Sequence, residues 1–511
     1  MENLQYCYLC AIFFIFLTIK LLTQRKQNLP PSPFSLPIIG HLHRLKFPLY
    51  KSLATLLSKY GPILYLRVGS RRILVVSSPS AVEECFGKND IIFANRPQTM
   101  AGDILMYNHR SYVWAPYGPL WRNLRRVSVV EILSSFNVQK LSSTREEEVG
   151  NFVRRLFEDS AANGSPRKVD MRYLFSLLTM NVSLKVVSGK RGVEADKEAE
   201  RTFFQEFKSL FFVGVGTNIC DFFPVLKWIG FQGIEKRLKE LHRRRDEYLQ
   251  KLVDGIRLNR SRGVAAMKEE GKNPPFIEKL LSFQEKDPES FSNEVIKAMT
   301  LIMFIAGTES TVFTLEWAMS LLLNHPEVLE RVRAEIVSHV GNERLLNDSD
   351  LANLPYLGCV VNEVLRLYPP APLLLPHYSS QDCRVGGYEV PKGTMLMVHA
   401  WAIHMDPSVW DEPTKFKPER FEGSFEEREG SKYLPFGLGR RACPGAAMGL
   451  RLILLALGAA IQCFEWEKVG SDKVDMTPGN GTFLLKAIPL EALCSPQPGL
   501  VKLVSQFQTS N

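Results

Sequence analysis

The sequence has few cysteines for its length, and no spacing pattern joins them. Nine cysteines are spread over 511 residues. Small proteins that depend on disulfides have a much denser set, so a disulfide scaffold is excluded and a reducing compartment is expected. Cys7 and Cys10 form a C-x-x-C pair, but no histidine or second pair stands nearby to complete a zinc site.

Low-complexity segments and internal repeats are also missing. The 511 residues exceed the roughly 100 to 200 residues of a usual domain. However, 45% hydrophobic and 23% charged residues are ordinary globular values. The composition is therefore compatible with one large core.

Motifs for binding nucleic acid are lacking as well. The net charge of +9 and the pI of about 9.0 would fit nucleic acid, an anionic membrane surface or an acidic protein partner. The chain has no run of five or six basic residues, no zinc finger and no RNA-recognition motif. We therefore expect no nucleic-acid partner.

One long apolar run stands at the amino end. Residues 4–22, LQYCYLCAIFFIFLTIKLL, approach the roughly 20 residues that a transmembrane helix needs. No A-x-A-like cleavage site follows, which favours an anchor over a signal peptide. Arg25 and Lys26 follow the run and no Lys or Arg precedes it, so the positive-inside rule places the rest of the chain in the cytosol.

These features predict three parts of the chain. Residues 1–24 are the transmembrane anchor. Residues 25–40 are basic and rich in proline, which predicts a stiff hinge that spaces the body from the membrane. Residues 41–511 form a single large domain.

The predicted fold class is mainly α with a minor β region. Residues 63–78, ILYLRVG and ILVVSS around a short SRR turn, predict a β-hairpin. Residues 293–324 lack proline and predict an interior helix of roughly 48 Å. Prolines in residues 369–421 exclude long helices there. Hydrophobic periodicity also predicts helices in residues 138–159, 234–258 and 326–340.

The sharpest motif is FGLGRRACPG, from Phe436 to Gly445, which matches F-x-x-G-x-R-x-C-x-G at every fixed position. Cys443 can supply a soft thiolate ligand for haem iron. Gly439 and Gly445 allow the backbone to approach a flat macrocycle, and Arg441 can pair with a propionate. The stretch also reads G-x-G-x-x-A, but the strand and the acidic residue that a dinucleotide site requires are missing.

An E-x-x-R pair lies in NEVLRLY. Glu363 and Arg366 are three apart and share a helix face, although most such pairs are merely solvated. Arg420 in PERF could close a Glu–Arg–Arg network that braces the cysteine loop.

Polar residues interrupt the predicted interior helix at AGTEST, residues 306–311. A buried carboxylate and hydroxyls are costly there. One explanation is that the hydroxyls bond to the preceding turn. The other is a local opening in which Glu309, Ser310 and Thr311 seat dioxygen and relay protons. Neighbouring residues point about 100° apart, so if Ser310 faces the iron, Thr311 does not.

A fourth motif is WRNLRR. Trp121 and Arg125 share a helix face and could both reach a propionate. Arg122 and Arg126 project elsewhere. They either form a solvated face or dock an acidic partner, and the sequence supports both equally.

Together these residues make the chain resemble a cytochrome P-450, from the anchor to the carboxyl end. Stretches such as LPIIGHLH and PFGLGRRACPG resemble plant microsomal enzymes close to the isoflavone hydroxylases. The resemblance implies the cytochrome P-450 fold, with haem b between the interior helix and the Cys443 loop. It also implies single-pass attachment to the endoplasmic reticulum, with the catalytic domain in the cytosol. Electrons would come from NADPH through cytochrome P-450 reductase, with O2 as cosubstrate and cytochrome b5 as a further partner.

The resemblance also assigns residues by position. Trp121, Arg125, His377 and Arg441 correspond to propionate partners, and Phe436 begins the cysteine loop. Ser310 departs from the family, which usually has threonine there. The implied pocket walls are the loop of residues 97–116 and the side chains of Phe211, Phe212, Val213, Phe304, Leu373, Leu374 and Phe483. Their apolar character predicts a hydrophobic substrate.

The expected reaction is hydroxylation of a plant specialised metabolite, namely a flavonoid, another phenylpropanoid or lignan, or a terpenoid. One alternative is a haem-thiolate oxidase that forms a ring or a methylenedioxy bridge. Another is a haem-thiolate isomerase that needs no dioxygen. Such an isomerase would usually lack the acid and hydroxyl that this chain keeps at Glu309 and Ser310.

Overall fold

The computed structural model describes most of the catalytic body. The described residues are 28–160, 166–192, 197–212, 218–262, 274–423, 430–497 and 499. The predicted anchor, residues 1–24, and the predicted pocket residue Val213 lie outside them.

Helices dominate the described chain. They are α1 (Leu49–Tyr60), α2 (Pro79–Glu83), α3 (Met100–Leu105), α4 (Pro119–Glu131), α5 (Ser135–Lys140), α6 (Ser142–Ser160), α7 (Met171–Ser188), α8 (Lys197–Phe211), α9 (Ile219–Phe222), α10 (Val225–Trp228), α11 (Ile234–Ser261), α12 (Phe276–Lys286), α13 (Asn293–Asn324), α14 (Pro326–Val340), α15 (Pro355–Leu367), α16 (Ala400–His404) and α17 (Ala446–Cys463).

Helix α13 crosses the interior, as the sequence predicts. The hydroxyl of Ser292 caps its first turn by accepting a hydrogen bond from the Val295 N–H (3.4 Å). It ends at Asn324, two residues before Pro326, which begins α14. Most of its side chains are buried, and it packs against α7, α15 and α17. The main core lies in this bundle.

The minor β region forms three small sheets. The largest has the order β1-β2-β7-β4, in which β2 and β7 are parallel. The predicted hairpin is confirmed as β1 and β2. The strands are β1 (Ile63–Val68), β2 (Arg71–Val76), β3 (Arg167–Asp170), β4 (His377–Tyr378), β5 (Cys383–Val385), β6 (Tyr388–Val390), β7 (Thr394–Val398), β8 (Phe464–Lys468) and β9 (Glu491–Pro496). Strands β3, β9 and β8 form the second sheet, and β5 and β6 the third.

One predicted helix is divided in two. The periodicity of residues 138–159 predicts a single helix, but α5 ends at Lys140 and α6 begins at Ser142. Leu141 between them has φ −88° and ψ 7°, which departs from helical values. Hydrophobic periodicity runs through both helices and therefore does not reveal the break.

The described part of the predicted hinge is not a free spacer. The Pro31 carbonyl accepts a hydrogen bond from the Tyr65 N–H (2.9 Å), and the Asn28 carbonyl accepts one from the Glu389 N–H (2.8 Å). Gly40 pairs with Val68 of β1. Proline removes a donor but keeps its carbonyl acceptor, so residues 28–40 are bonded to the body.

Two described helices, α13 and α17, are long and apolar enough to span a membrane. In each, 61% of the most apolar window is buried inside the body. Both are therefore interpreted as core helices.

Candidate active site

The cysteine loop precedes α17 and is closed by its own backbone. The Cys443 N–H donates to the Phe436 carbonyl (2.8 Å). Gly439 has φ 71°, and a Cβ at this position would lie 2.8 Å from an Asp90 carboxylate oxygen. Only glycine fits there. Gly445 has φ −93°, so the conformation of its backbone does not require glycine.

The Cys443 thiol is exposed, although neighbouring groups of the protein lie close enough to shift its pKa. Burial raises the pKa of the Cys443 thiol, and the Gly445 N–H and the Arg125 guanidinium oppose this shift. Those two groups therefore favour the thiolate, the form that binds iron.

The buried Arg96 and His377 and the half-buried Arg125 and Arg441 gather beside this loop and are called the cation cluster. Their guanidinium groups donate to main-chain carbonyls, Arg125 to Ala442, Arg96 to Leu375 and Pro376, and Arg441 to Ala94, Tyr112 and Ala115. Among the described residues, no carboxylate forms an ion pair with any of the three arginines.

The electrostatics of the cation cluster call for an anion. Burial lowers the pKa of each guanidinium, and Arg96 and Arg125 lower that of Arg441 further by repulsion. Arginine nevertheless keeps its charge in proteins, and buried charges need an opposite partner. The two propionates of a haem are of the right charge. The thiol and the cation cluster therefore fit a haem.

Trp121 has a different contact from the predicted one. Its indole N–H donates to the Tyr112 carbonyl (2.8 Å), and its ring lies 4.6 Å from the Arg441 guanidinium. An indole has a single donor, and here it bonds the carbonyl that Arg441 also bonds. A bond from Trp121 to a propionate stays a prediction.

His377 and Arg96 complete the cluster in different ways. The His377 Nδ1 donates to the Phe93 carbonyl (2.8 Å), so in the neutral ring the other nitrogen is an acceptor. Burial lowers the pKa of His377 well below its usual range, and Arg96 adds to the shift. Sequence analysis missed Arg96, because a single arginine before a proline has no spacing relation to the residues that it meets.

On α13, the predicted oxygen site presents one open face. Ala306, Gly307 and Ser310 are exposed, and a Cβ on Gly307 would meet no neighbouring atom within 4 Å. Thr311 is only 4% exposed. Ser310 and Thr311 therefore lie on different faces of the helix, and Thr311 is not on the open face that could touch a bound ligand.

The helix is continuous through this face, so the expected local opening is not seen. The Ser310 hydroxyl donates to the Ala306 carbonyl (3.0 Å), the bond of the structural explanation. Next to it, the pKa of Glu309 is raised to about 7 by burial, with Lys208 opposing the shift. Near neutral pH this carboxyl can both give and take a proton.

The predicted Glu–Arg–Arg network is formed. Arg366 makes two hydrogen bonds to the Glu363 carboxylate (2.7 Å each), and Arg420 adds a third (3.0 Å). Arg366 also donates to the His404 carbonyl (2.7 Å). The His404 ring accepts the Leu434 N–H (2.9 Å), two residues before the cysteine loop.

The predicted pocket walls divide into two groups. Phe212 and Leu374 are half-buried, and Phe483 is 39% exposed, so these three side chains are accessible and their role as pocket walls stays a prediction. Phe211 and Phe304 are fully buried, with their rings 5.1 Å apart. Packing within an aromatic cluster places them behind the wall, which corrects the expectation. Leu373 is also buried.

The body and this site together define a haem-thiolate protein. The chain belongs to the cytochrome P450 family, whose model matches residues 30–494. It is 45% identical to cytochrome P450 81Q32 of Catharanthus roseus over 99% of each chain. It is 42% identical to isoflavone 2'-hydroxylase of Glycyrrhiza echinata over 97% of each chain.

Two further comparisons also match this chain to the cytochrome P450 family. The chain is 43% identical to (+)-piperitol/(+)-sesamin synthase of Sesamum radiatum over 99% of each chain. A zebrafish cytochrome P450 solved with progesterone superposes with a TM-score of 0.73 and 29% identity, covering 89% of this chain and 100% of that one. The protein is a cytochrome P450 monooxygenase, and the family implies haem, O2 and electrons from NADPH through a reductase.

The Glu363 network predicts a large loss of stability on truncation. Arg366→Ala leaves a fully buried carboxylate without its main partner, and such a change costs about 3–5 kcal/mol. The free energy of unfolding in urea measures this. Arg344→Ala is the matched control, because Arg344 also makes two hydrogen bonds to one carboxylate, that of Asp350, but is exposed. That pair should contribute about 0–1 kcal/mol. Equal losses in the two variants would contradict the prediction.

The open face of α13 predicts where the proton relay lies. Ser310→Ala should release NADPH electrons as hydrogen peroxide and lower product formation by roughly 10²- to 10⁴-fold, the usual contribution of such a relay. Ser310→Thr should retain coupling because it keeps the hydroxyl. Thr311→Ala is the control and should stay coupled. Uncoupling by Thr311→Ala alone would show that the other hydroxyl carries the proton.

The same relay should depend on pH. A Glu309 pKa of about 7 means that the carboxyl is protonated below this pH and ionised above it. Product formed per NADPH should therefore fall as the pH rises from about 6 to 8, as the proton is lost. Glu309→Gln cannot titrate, and its coupling should not change over this range. A parallel fall in Glu309→Gln would assign the titration to another group.

Proposed function

We propose that the protein hydroxylates a hydrophobic plant specialised metabolite by way of a haem b held at Cys443. The observation that carries this proposal is the exposed Cys443 thiol beside a cation cluster that has no carboxylate partner within the described part of the chain. The relatives support a flavonoid or another phenylpropanoid, including a lignan, as the substrate class, because two of them are named for an isoflavone and for sesamin. A terpenoid is the further possibility.

The residues of the site have separate tasks in this proposal. When bound, the haem supplies an electron-rich, thiolate-ligated iron that favours O–O cleavage. Arg96, Arg125 and Arg441 would hold its two carboxylates. The Gly445 N–H tempers the charge on the Cys443 sulfur.

The proton comes from α13. The Glu309 carboxyl holds a proton near neutral pH, and the Ser310 hydroxyl lies on the neighbouring open face. The hydroxyl donates to the Ala306 carbonyl and keeps its lone pairs free to accept. In the proposed relay, the hydroxyl turns away from the Ala306 carbonyl and gives its own proton to a bound ligand. It accepts in exchange a proton that originates at the Glu309 carboxyl.

The walls provide orientation for the substrate. Phe212, Leu374 and Phe483 offer apolar surface, which excludes water and selects a hydrophobic ligand. A methylenedioxy bridge between neighbouring oxygens of a phenylpropanoid is the second candidate reaction. The likeness to (+)-piperitol/(+)-sesamin synthase favours it.

Electron delivery is proposed at the exposed arginines of α4. Arg122 and Arg126 point outward from the helix that contributes Arg125 to the cation cluster. Exposed cations steer an acidic partner, which fits the reductase and, in the same way, cytochrome b5.

Membrane attachment is supported by two exposed apolar groups, which we call the apolar surface. Phe34, Ile38 and Phe47 follow the predicted anchor, and Val225, Trp228 and Ile229 lie in and after α10. The turn between β1 and β2 connects the two groups. The Gly69 N–H donates to the Ile39 carbonyl beside the first group, and the Ser70 N–H donates to the Phe222 carbonyl near the second. Exposed apolar patches of this kind mark membrane or protein contacts.

In this proposal residues 1–24 cross the endoplasmic reticulum membrane once. The predicted hinge of residues 25–40, whose described part is bonded to the body, leads to the catalytic domain of residues 41–511 on the cytosolic side. The apolar surface then rests on the bilayer beside the anchor.

The apolar surface predicts membrane binding without the anchor. In protein that lacks residues 1–27, Trp228→Ser and Ile229→Ser together should weaken flotation with phosphatidylcholine–phosphatidylserine vesicles by about tenfold or more, because each buried apolar side chain contributes about 1.5–3 kcal/mol. Phe136→Ser, at an apolar side chain of α5 that is 64% exposed, is the control and should bind normally. Equal vesicle binding by the truncated protein and both of its variants would rule out membrane contact through the apolar surface.

The proposed function is tested by a metabolite screen. Full-length protein with reductase and NADPH is offered isoflavones, other flavonoids, lignans and terpenoids, and the product mass is read. A gain of one oxygen atom supports hydroxylation, whereas a loss of two hydrogens supports bridge formation. Cys443→Ala should give no product and no thiolate-type carbonyl spectrum. Product without NADPH or O2 would contradict both reactions.

A further inference from the structure

The loop between β8 and β9 is fixed to the interior helix at three points. It carries the proposed wall residue Phe483 and is held by polar groups from the carboxyl half of α13. The contacts join Asn324 to Val474 (2.8 Å), the Trp317 indole N–H to the Leu484 carbonyl (2.7 Å), and the Glu316 carboxylate to the Leu490 N–H (2.8 Å). The position of Phe483 therefore depends on α13.

A buried lysine strengthens the central contact. Lys486 is 1% exposed, and its ammonium donates to the Asp475 carbonyl and lies 5.0 Å from the centre of the Trp317 ring. Burial lowers the pKa of Lys486, and Glu316 opposes the shift. A buried ammonium is costly without partners, and an aromatic face is one that attracts it.

A second aromatic ring, that of Tyr368, stacks on Trp317. The Tyr368 ring lies 3.9 Å from it at an interplanar angle of 12°. Tyr368 begins the segment that leads to Leu374, the other proposed wall residue, whose φ is 49°. A left-handed leucine is strained and must be held by its surroundings.

The two wall segments are also bonded to each other. The Leu484 N–H donates to the Pro370 carbonyl (2.9 Å). Residues 370–374 and 483–485 thus meet beside Trp317, which contacts the first segment through Tyr368 and the second through Leu484. Trp317 itself is fully buried.

Trp317 also has a fixed relation to the oxygen site. It follows Ser310 by seven residues on α13, which is nearly two turns and about 10 Å along the axis. The two side chains therefore leave the helix in similar directions. A single rigid helix thus sets the spacing between Ser310 and the group that holds both walls.

We propose that Trp317 and Lys486 are positioning residues that place the two substrate walls, residues 370–374 and 483–485, at a set distance from Ser310. Their effect is on which ligand atoms reach the iron and not on iron ligation. This inference rests on the proposed function, because that function makes Leu374 and Phe483 walls of the substrate site.

The test compares two iron ligands in the haem-loaded protein. Imidazole binds the iron without reaching the walls, whereas 4-phenylimidazole carries a ring that needs them. Lys486→Met and Trp317→Phe should weaken 4-phenylimidazole by roughly 3- to 30-fold, the span that a buried cation–π contact represents. Imidazole affinity should stay unchanged. Lys486→Arg should bind 4-phenylimidazole as the unchanged protein does, because it keeps a cation beside the Trp317 ring.

Matched controls separate positioning from general packing. Trp466→Phe makes the same change at a buried tryptophan that donates to the Ala460 carbonyl (2.8 Å), and Lys473→Met removes an exposed lysine at the start of the loop. Both should bind the two ligands normally. Faster amide hydrogen exchange in residues 483–485, confined to Lys486→Met and Trp317→Phe, would support the proposal directly.

Several outcomes would overturn it. These are unchanged 4-phenylimidazole affinity in Lys486→Met and Trp317→Phe, equal weakening of both ligands, or failure of Lys486→Arg to restore binding. Loss of the thiolate carbonyl spectrum in both variants would show that Trp317 and Lys486 stabilise the fold and do not position the walls. The measurement requires only bound haem, so a metabolite screen that finds no product would count against the proposed function and leave this result intact.

Discussion

The fully buried carboxylate of Glu363 is the interaction on which the rest of the site depends. It holds Arg366 and Arg420, and Arg366 reaches the His404 carbonyl. Through His404 the network bonds the backbone just before the cysteine loop. A buried charge demands full compensation, so this geometry tolerates little displacement. The loop in turn fixes Arg441, and with it the cation cluster.

Motifs with short, fixed spacing were predictable from the sequence, and contacts between distant segments were less so. The Cys443 loop, the Glu363–Arg366 pair and the bounds of α13 follow from patterns within one helix or turn. Arg96 could not be found in this way, because its meeting with Arg441 depends on how residues 112–115 fold between them. The burial of Phe304 was missed because both sides of α13 are apolar, so composition does not tell a wall from the layer behind it.

In the proposed function, helix α13 combines proton delivery with the placement of the substrate walls. Its middle turn carries Glu309 and Ser310, whereas Trp317 and Asn324 hold the loop that bears Phe483. Backbone hydrogen bonds make a helix stiff along its axis, so a shift of the helix would move proton delivery and substrate position together. Variation confined to the loops could change the ligand while the spacing to the oxygen site is kept.

The bonding of residues 28–40 to the body has a consequence for building chimeric proteins. The bonded body already includes Asn28, whose carbonyl and side-chain amide contact residues 387–389, so a junction with the proposed anchor belongs before this residue. A fusion made at residue 41 would remove the bond from Pro31 to Tyr65 and the pairing of Gly40 with Val68. A foreign amino-terminal segment should therefore be joined before Asn28, so that residues 28–40 stay bonded to the body.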